Sequence, residues 1–297
     1  MSRDQPAGAN DDASAAALKR RMRQRLTALI FGEALIDIYP DRRVVAGAPL
    51  HVARHLAASG WHVEFITRLG NDDDGASVVA RLAEDGVART LVETDASLPT
   101  GRVLITADSA GAAAYAIARP AAWDAIHGPP ALPPHAALYY GTLAARAPQS
   151  RAAWQRLLET SRAGWRVFDV NLRPPDVDPH ILEAGLARAT IAKCSATELG
   201  EVCALLGEEP DPLALFARYR RLRLLAVTHG ASGAALFARD GRRWWEDAPA
   251  VQIGSPVGAG DAFTAALMDA LVRGKDEAAA LAAAVAYAAD VLVRSAT

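Results

Sequence analysis

Short apolar runs alternate with amphipathic helical segments along most of the chain, and that alternation limits the possible folds more than any other feature. Leu29-Ile30-Phe31 reads as a buried strand that continues past Gly32 and Glu33 into a second extended piece, residues 34–39. Further strands are expected at 63–67, 137–140, 166–170, 190–193, 224–228, 234–238 and 242–246. Between them lie helical patterns. Pro49 opens one that carries Val52, Ala53, Leu56 and Ala57, and Asn71 with the acids at 72–74 opens one that carries Val78, Val79 and Leu82. Others are expected at 149–162, 179–188, 197–206 and 276–293. Continuous apolar strands separated by helices require a mostly parallel sheet covered on both faces.

Residues 87–119 break this rhythm. Extended pieces at 87–92, 102–107 and 113–118 are separated by Pro99-Thr100-Gly101 and by a turn at 108–111, which predicts an accessory sheet. Prolines 129, 130, 133 and 134 then lead the chain back to the main body.

At 297 residues, 51% hydrophobic and 22% charged, the chain has the composition of an ordinary soluble globular protein, long enough for one large α/β domain or two small ones. A net charge of −2 recommends neither nucleic acid nor an acidic membrane as a partner. Cys194 and Cys203 are too few for a disulfide framework and lack zinc-ligand spacing, which points to a reducing, cytoplasmic compartment. No apolar run approaches a membrane span, and there is no hydrophobic secretory segment. Residues 1–26 read as a disordered tail with a solvated basic run at 19–25, so the domain is expected over 27–297. His55, His62 and His229 lack ligand-like spacing and are expected to be solvated or to pack. There is no Walker-type phosphate loop, and no Gly-x-Gly-x-x-Gly follows the first strand.

The chemistry concentrates at 253–264. Pro256, Gly258 and Gly260 forbid a regular element before Asp261, whereas Phe263, Leu267, Ala270 and Leu271 recur at helical spacing. A glycine turn feeding a helix start offers unpaired N–H groups to a phosphoryl group. Asp261 beside such an anion hole either accepts a proton from an attacking hydroxyl or complements the helix dipole. Asp37, inside an apolar run, either pairs structurally or faces a polar ligand.

The order of these pieces over residues 27–294 resembles the ribokinase-like sugar kinases of phosphofructokinase-B type. The run 255–268, with Gly258-Ala259-Gly260-Asp261, is similar to the C-terminal motif of that family. Residues 46–53 followed by Gly60 and 70–75 are similar to its N-terminal motif. Residues 32–37, 169–174 and 228–230 resemble its fructokinase and 2-keto-3-deoxygluconate kinase branches. The resemblance implies a three-layer α/β/α, Rossmann-like fold with a small β-sheet lid formed by strands within about 38–46 and 87–119.

It also implies transfer of the γ-phosphate of ATP, with Mg2+, to a small carbohydrate, and it is compatible with a homodimer through the lid. Asp261 would then be the general base, and the amides of Gly258, Ala259 and Gly260 the anion hole. Asp37, Gly47, His51, Asn171 and Arg173 would face the sugar. Thr228, Gly230, Gly233, Gly258 and Gly260 would lie along the nucleotide, and Glu198 would help to organise magnesium. Some positions depart from the family pattern. Ser255 replaces the acid that helps to hold a monovalent cation, which puts potassium activation in doubt; Val257 replaces Thr, and Ser195 replaces Asn ahead of Glu198. Ala46 and His51 replace Gly and Asn on the sugar side, which predicts poor use of fructose and better use of another sugar or of a sugar acid whose carboxylate accepts from His51. The chain ends at Thr297 before the usual final helix, leaving one wall of the adenine site without an assigned element. Two alternatives remain: a nucleoside kinase of the same fold, with Tyr115 and Trp123 supplying an aromatic slot, and a degenerate sugar or nucleotide sensor.

Overall fold

The computed structural model describes residues 26–107, 113–251 and 258–294; the tail 1–25 and the expectations at Ser255 and Val257 lie outside them. Parallel strands β1 (Thr27–Phe31), β4 (His62–Gly70), β5 (Val92–Asp95), β8 (Ala137–Gly141), β9 (Trp165–Asp169), β10 (Ile191–Ser195) and β11 (Leu224–Thr228) form most of a nine-stranded sheet. Antiparallel β12 (Ala234–Ala238) and β13 (Arg243–Glu246) complete it, in the order β13-β12-β11-β10-β9-β8-β1-β4-β5. One face is covered by α1 (Ala48–Ala58), α2 (Asp73–Glu84), α7 (Ala259–Val272) and α8 (Glu277–Arg294), through Leu50, Leu56, Val78, Phe263, Leu267 and Leu281. The other face is covered by α3 (Pro148–Thr160), α4 (Pro179–Arg188), α5 (Ala196–Leu206) and α6 (Pro212–Arg218), through Trp154, Leu157, Leu182, Val202 and Phe216. Burial on both faces explains why the strands read as continuous apolar runs.

The local signals place the helices. Asp72 caps α2 by accepting from Gly75 N, Ser195 and Glu198 form a capping box at α5, and Pro49 sits in the first turn of α1. The short α6 was not anticipated, although Asp211 caps it and Pro212 opens it; so few residues carry too little periodicity to be read.

A second sheet, β3-β2-β6-β7, is built from β2 (Leu35–Ile38), β3 (Arg43–Ala46), β6 (Gly101–Ala107) and β7 (Ala113–Ile117). Its membership corrects the expected accessory sheet at both ends. The piece after Gly32-Glu33 does not extend β1 but crosses into the small sheet at Leu35. The stretch beginning at Val87 belongs to the large sheet instead: Ala88 bridges Glu64, and β5 pairs with β4 in the register Thr67↔Val92. Alternation marks a strand without naming the sheet it will join. The inner face of the small sheet carries Leu35, Ala46, Val103 and Ile105 as its own apolar cluster.

The chain builds β4 and β5 on one side of β1 and then β8 to β11 on the other, so the strand order reverses beside β1. Open α/β sheets bind ligands at the carboxyl ends of the strands at such a reversal.

Candidate active site

The turn before α7 behaves as its residue types require. Gly258 is the N-cap of α7 at φ 85, a left-handed conformation that glycine adopts without a steric cost. The first intrahelical bond of α7 runs from Ala262 N to Gly258 O, so the amides of Ala259, Gly260 and Asp261 have no intrahelical acceptors. A cavity opens on each side of this turn, and Gly260 lines both.

The first, about 650 Å³, is lined by Asp37, Gly47, His51, Asn171, Arg173, Gly258, Gly260 and Asp261, gathering all the residues expected to face the sugar with the expected base. Leu35, Asp37 and Tyr39 reach it together because alternate residues of a strand share a face, and the small sheet contributes Val103, Tyr115 and Ile117 to the same wall. The second, about 530 Å³, is lined by Thr228, Gly230, Gly233, Ala259 and Gly260, with Phe263 and the apolar residues Val285, Ala289 and Leu292 of α8. The Ala-rich last helix therefore supplies a wall to which the sequence assigned no element. Glu198 lines neither cavity. Its two carboxylate oxygens accept from Ser195 N and from Leu172 N, each at 2.7 Å, tying the start of α5 to the loop after β9.

Beneath the turn lies a buried charge cluster that sequence reasoning missed. Lys193 Nζ donates to Asp169 Oδ1 at 3.2 Å, and Tyr139 donates to Asp169 Oδ2 at 3.3 Å. A Cβ placed on Gly260 would stand 3.3 Å from Lys193 Nζ, which puts the ammonium directly under the anion turn. The available signal was a lysine and an aspartate inside neighbouring apolar strands, which the parallel register pairs as Lys193↔Asp169. Burial pushes the Asp169 carboxyl up against the pull of Lys193. Burial by itself would lower the lysine, but Asp169, Asp261 and Glu198 around it hold it above its ordinary value.

Asp261 keeps some exposure to the cavity, yet it lies deep enough that protein, not solvent, dominates its surroundings. Burial, then the nearby Asp169, pushes its carboxyl up to about 8 against the attraction of Lys193 and Arg173. Asp37 is pushed up to about 6 by burial, with Arg173 opposing. Glu33, which the sequence did not single out as a site residue, lines the same cavity and is pushed up to about 7, chiefly by burial.

His51 also lines this cavity, and burial, aided by His55 and Arg81, pushes it down to about 4. Arg54 Nη1 lies 3.5 Å from His51 Nδ1, so Nδ1 is the acceptor of a neutral ring and Nε2 carries its proton. Trp123 is corrected as an aromatic slot: it is fully buried, with the Arg146 guanidinium 3.8 Å from its ring centroid. It packs against Gly101, where any Cβ would strike its indole, so it belongs to the core. His55 contacts Tyr287, His62 pairs with Glu64 and His229 packs on Trp245; none joins a metal-ligand group among the described residues. No described helix is long and apolar enough to cross a membrane.

A polar, carboxyl-lined cavity and an apolar one, meeting at a glycine turn under a helix start, define the class: an enzyme that brings two ligands together across an anion hole. The chain belongs to the pfkB family of carbohydrate kinases, whose profile matches residues 30–297, and is thus a phosphotransferase acting on a hydroxyl group. A fructokinase of Klebsiella pneumoniae is 33% identical over 281 residues, covering 87% of this chain and 89% of its own length. An aminoimidazole riboside kinase of Salmonella typhimurium is 30% identical, covering 82% and 80%. The solved aminoimidazole riboside kinase of Salmonella enterica, complexed with aminoimidazole riboside and an ATP analog, superposes with a TM-score of 0.75 at 26% identity, over 90% of this chain and 93% of that one. The fructokinase of Xylella fastidiosa with bound ATP shares the fold, with a TM-score of 0.76 at 23% identity, over 90% and 92%.

Proposed function

We propose that this kinase transfers the γ-phosphoryl group of ATP to a hydroxyl of a small neutral sugar, with Asp261 as the general base. The observation that carries this is the shared turn: Asp261 and the sugar-facing residues open on one side of Gly260, the apolar nucleotide cavity on the other. Asp261 takes the hydroxyl proton as the sugar oxygen bonds to the γ-phosphorus and the bond to the ADP oxygen breaks. The unpaired amides at the start of α7, with Lys193 beneath them, stabilise the charge on the moving group. Glu198 would help to hold a magnesium ion, since each of its oxygens keeps a lone pair beyond the backbone amide it accepts, and the ion would supply neutralisation of phosphate charge.

Substrate charge follows from the cavity wall. Glu33, Asp37 and Asp261 line it together with two cations, Lys193, which is paired with Asp169, and the exposed Arg173, which donates to Leu172 O at 2.9 Å. The acids outnumber the cations there, and neutral His51 offers a sugar acid no positive charge. A neutral polyol instead gives each acid a hydroxyl donor. The neutral sugar is the reading adopted, a sugar acid stays as an arm of the substrate panel, and the expectation of weak fructose use is kept. His51→Asn is expected to improve kcat/KM for fructose relative to other neutral sugars by about fivefold, the value of roughly one hydrogen bond. Steady-state kinetics on a sugar panel check this; an unchanged ranking would show that position 51 does not select the sugar.

A nucleoside kinase is the second reading, favoured by Tyr39 and Tyr115 in the cavity wall. ADP release across neutral sugars, sugar acids and nucleosides decides between them, and a chain that turns over none of these is a sensor. A homodimer through the small sheet, with half-exposed Leu104 on the face away from the cavity, is part of the proposal. With Ser255 in place of an acid, activity is expected to change little when potassium replaces a bulky organic cation, since a charged oxygen ligand is missing. A many-fold rise in rate would refute that.

A further inference from the structure

The proposed transfer leaves Glu33 without a task. Its side chain lines the sugar-side cavity and the residue is only 5% exposed. Among the described residues no other side chain donates to its carboxyl; its own backbone amide is its hydrogen-bond partner. Arg173 and Arg146 act on it only through charge, and burial outweighs both.

The backbone around it is locked. Gly32 N donates to Ile66 O at 3.2 Å, and a Cβ on Gly32 would stand 2.2 Å from Pro49 Cγ, so β1 ends tight against the first turn of α1. On the other side a Cβ on Gly47 would stand 2.7 Å from Glu33 O. On this fixed backbone the buried carboxyl has only its own amide as donor, fewer than its lone pairs can accept, and a further donor would lower the cost of burying it. The protein leaves that donor to whatever fills the cavity.

We propose that Glu33 accepts a hydrogen bond from a second substrate hydroxyl, one that is not phosphorylated, and so selects neutral polyols over their deoxy and anionic analogues. This role rests on the sugar-kinase reading and sharpens its substrate class. A hydroxyl is the fitting donor because it is uncharged and small enough to reach a buried acid. Sugars lacking that hydroxyl leave the acid short of a donor, and acids placed there meet a like charge once Glu33 is ionised.

The test compares wild type, Glu33→Gln and Glu33→Ala on the best neutral sugar and on its set of monodeoxy analogues. Assayed above about pH 7, where Glu33 is ionised, wild type is expected to lose roughly 10- to 100-fold in kcat/KM on one analogue that keeps the phosphorylated hydroxyl, the worth of a hydrogen bond to a charged acceptor. Glu33→Ala should bring that one ratio close to unity, acting mainly on KM, and leave the ratios for the other analogues unmoved. Glu33→Gln, nearly isosteric and still an acceptor, should retain part of the discrimination, and it decides the matter if the alanine variant does not fold. Ratios identical in wild type and the folded variants would overturn the role of Glu33 alone. A wild type that phosphorylates none of the neutral sugars would overturn the sugar-kinase reading and this role with it.

Discussion

Asp261→Asn should lower kcat by about 10²–10⁴-fold, the usual cost of removing a general base, while making the folded protein more stable in alkaline solution. Both effects come from one cause. Burial and Asp169 hold the Asp261 carboxyl near 8, well above the ordinary value of 3.8. A carboxyl raised on folding stabilises the native state fully below its unfolded pKa, and that contribution is lost as pH climbs from about 4 through about 8. The asparagine variant does not titrate there. Its melting temperature relative to wild type should therefore rise between about pH 4 and about pH 8, whereas an exposed dipole partner would give only a small loss. In wild type kcat/KM should climb with pH until Asp261 is ionised, near pH 8, and then level off. Melting curves and rates at matched pH check this; near wild-type turnover in the variant would return Asp261 to a structural role.

Lys193→Met should cost about 3–5 kcal/mol of stability, because it leaves the Asp169 carboxyl buried without its cation. Tyr139 and Thr264 still donate to Asp169, at 3.3 Å and 3.5 Å, but they bring no charge. The same substitution removes the positive charge that draws down Asp261, so the acid limb of kcat/KM should move above about 8 and turnover at neutral pH should fall. Combining Lys193→Met with Asp169→Leu should recover much of the stability, since apolar packing often replaces a buried ion pair without loss, but not the rate. Denaturant unfolding of the single and double variants, with pH–rate profiles, tests both parts. A loss below about 1 kcal/mol in the single variant would mean that Asp169 takes up a proton at little cost and that the pair is not what holds this layer.

Much of this protein was determined by neighbouring residues alone. Gly258-Ala259-Gly260 before the periodic run at Phe263, Leu267 and Leu271 specifies a turn and a helix start wherever it is placed, because φ freedom and apolar period are local properties. Asp72 before α2 and Ser195 with Glu198 before α5 are equally local, and so is the βα alternation that requires a covered parallel sheet. Asp37 is visible as an acid in an apolar run, but the local sequence does not choose between pairing and facing a ligand; the small sheet puts it on the cavity wall. Other features depended on partners distant in the chain. The stretch from Val87 to Asp95 looks like any half-buried strand, and only its register with β4 puts it on the edge of the large sheet. Trp123 reads as a slot for a base or, more often for aromatic residues there, as lid packing, until Gly101 and Arg146 close around it in the core. Glu33 and the Lys193–Asp169 pair acquire meaning only when β1, β8, β9 and β10 end side by side, because the energy of a buried charge depends on what faces it, and the facing groups come from elsewhere in the sequence.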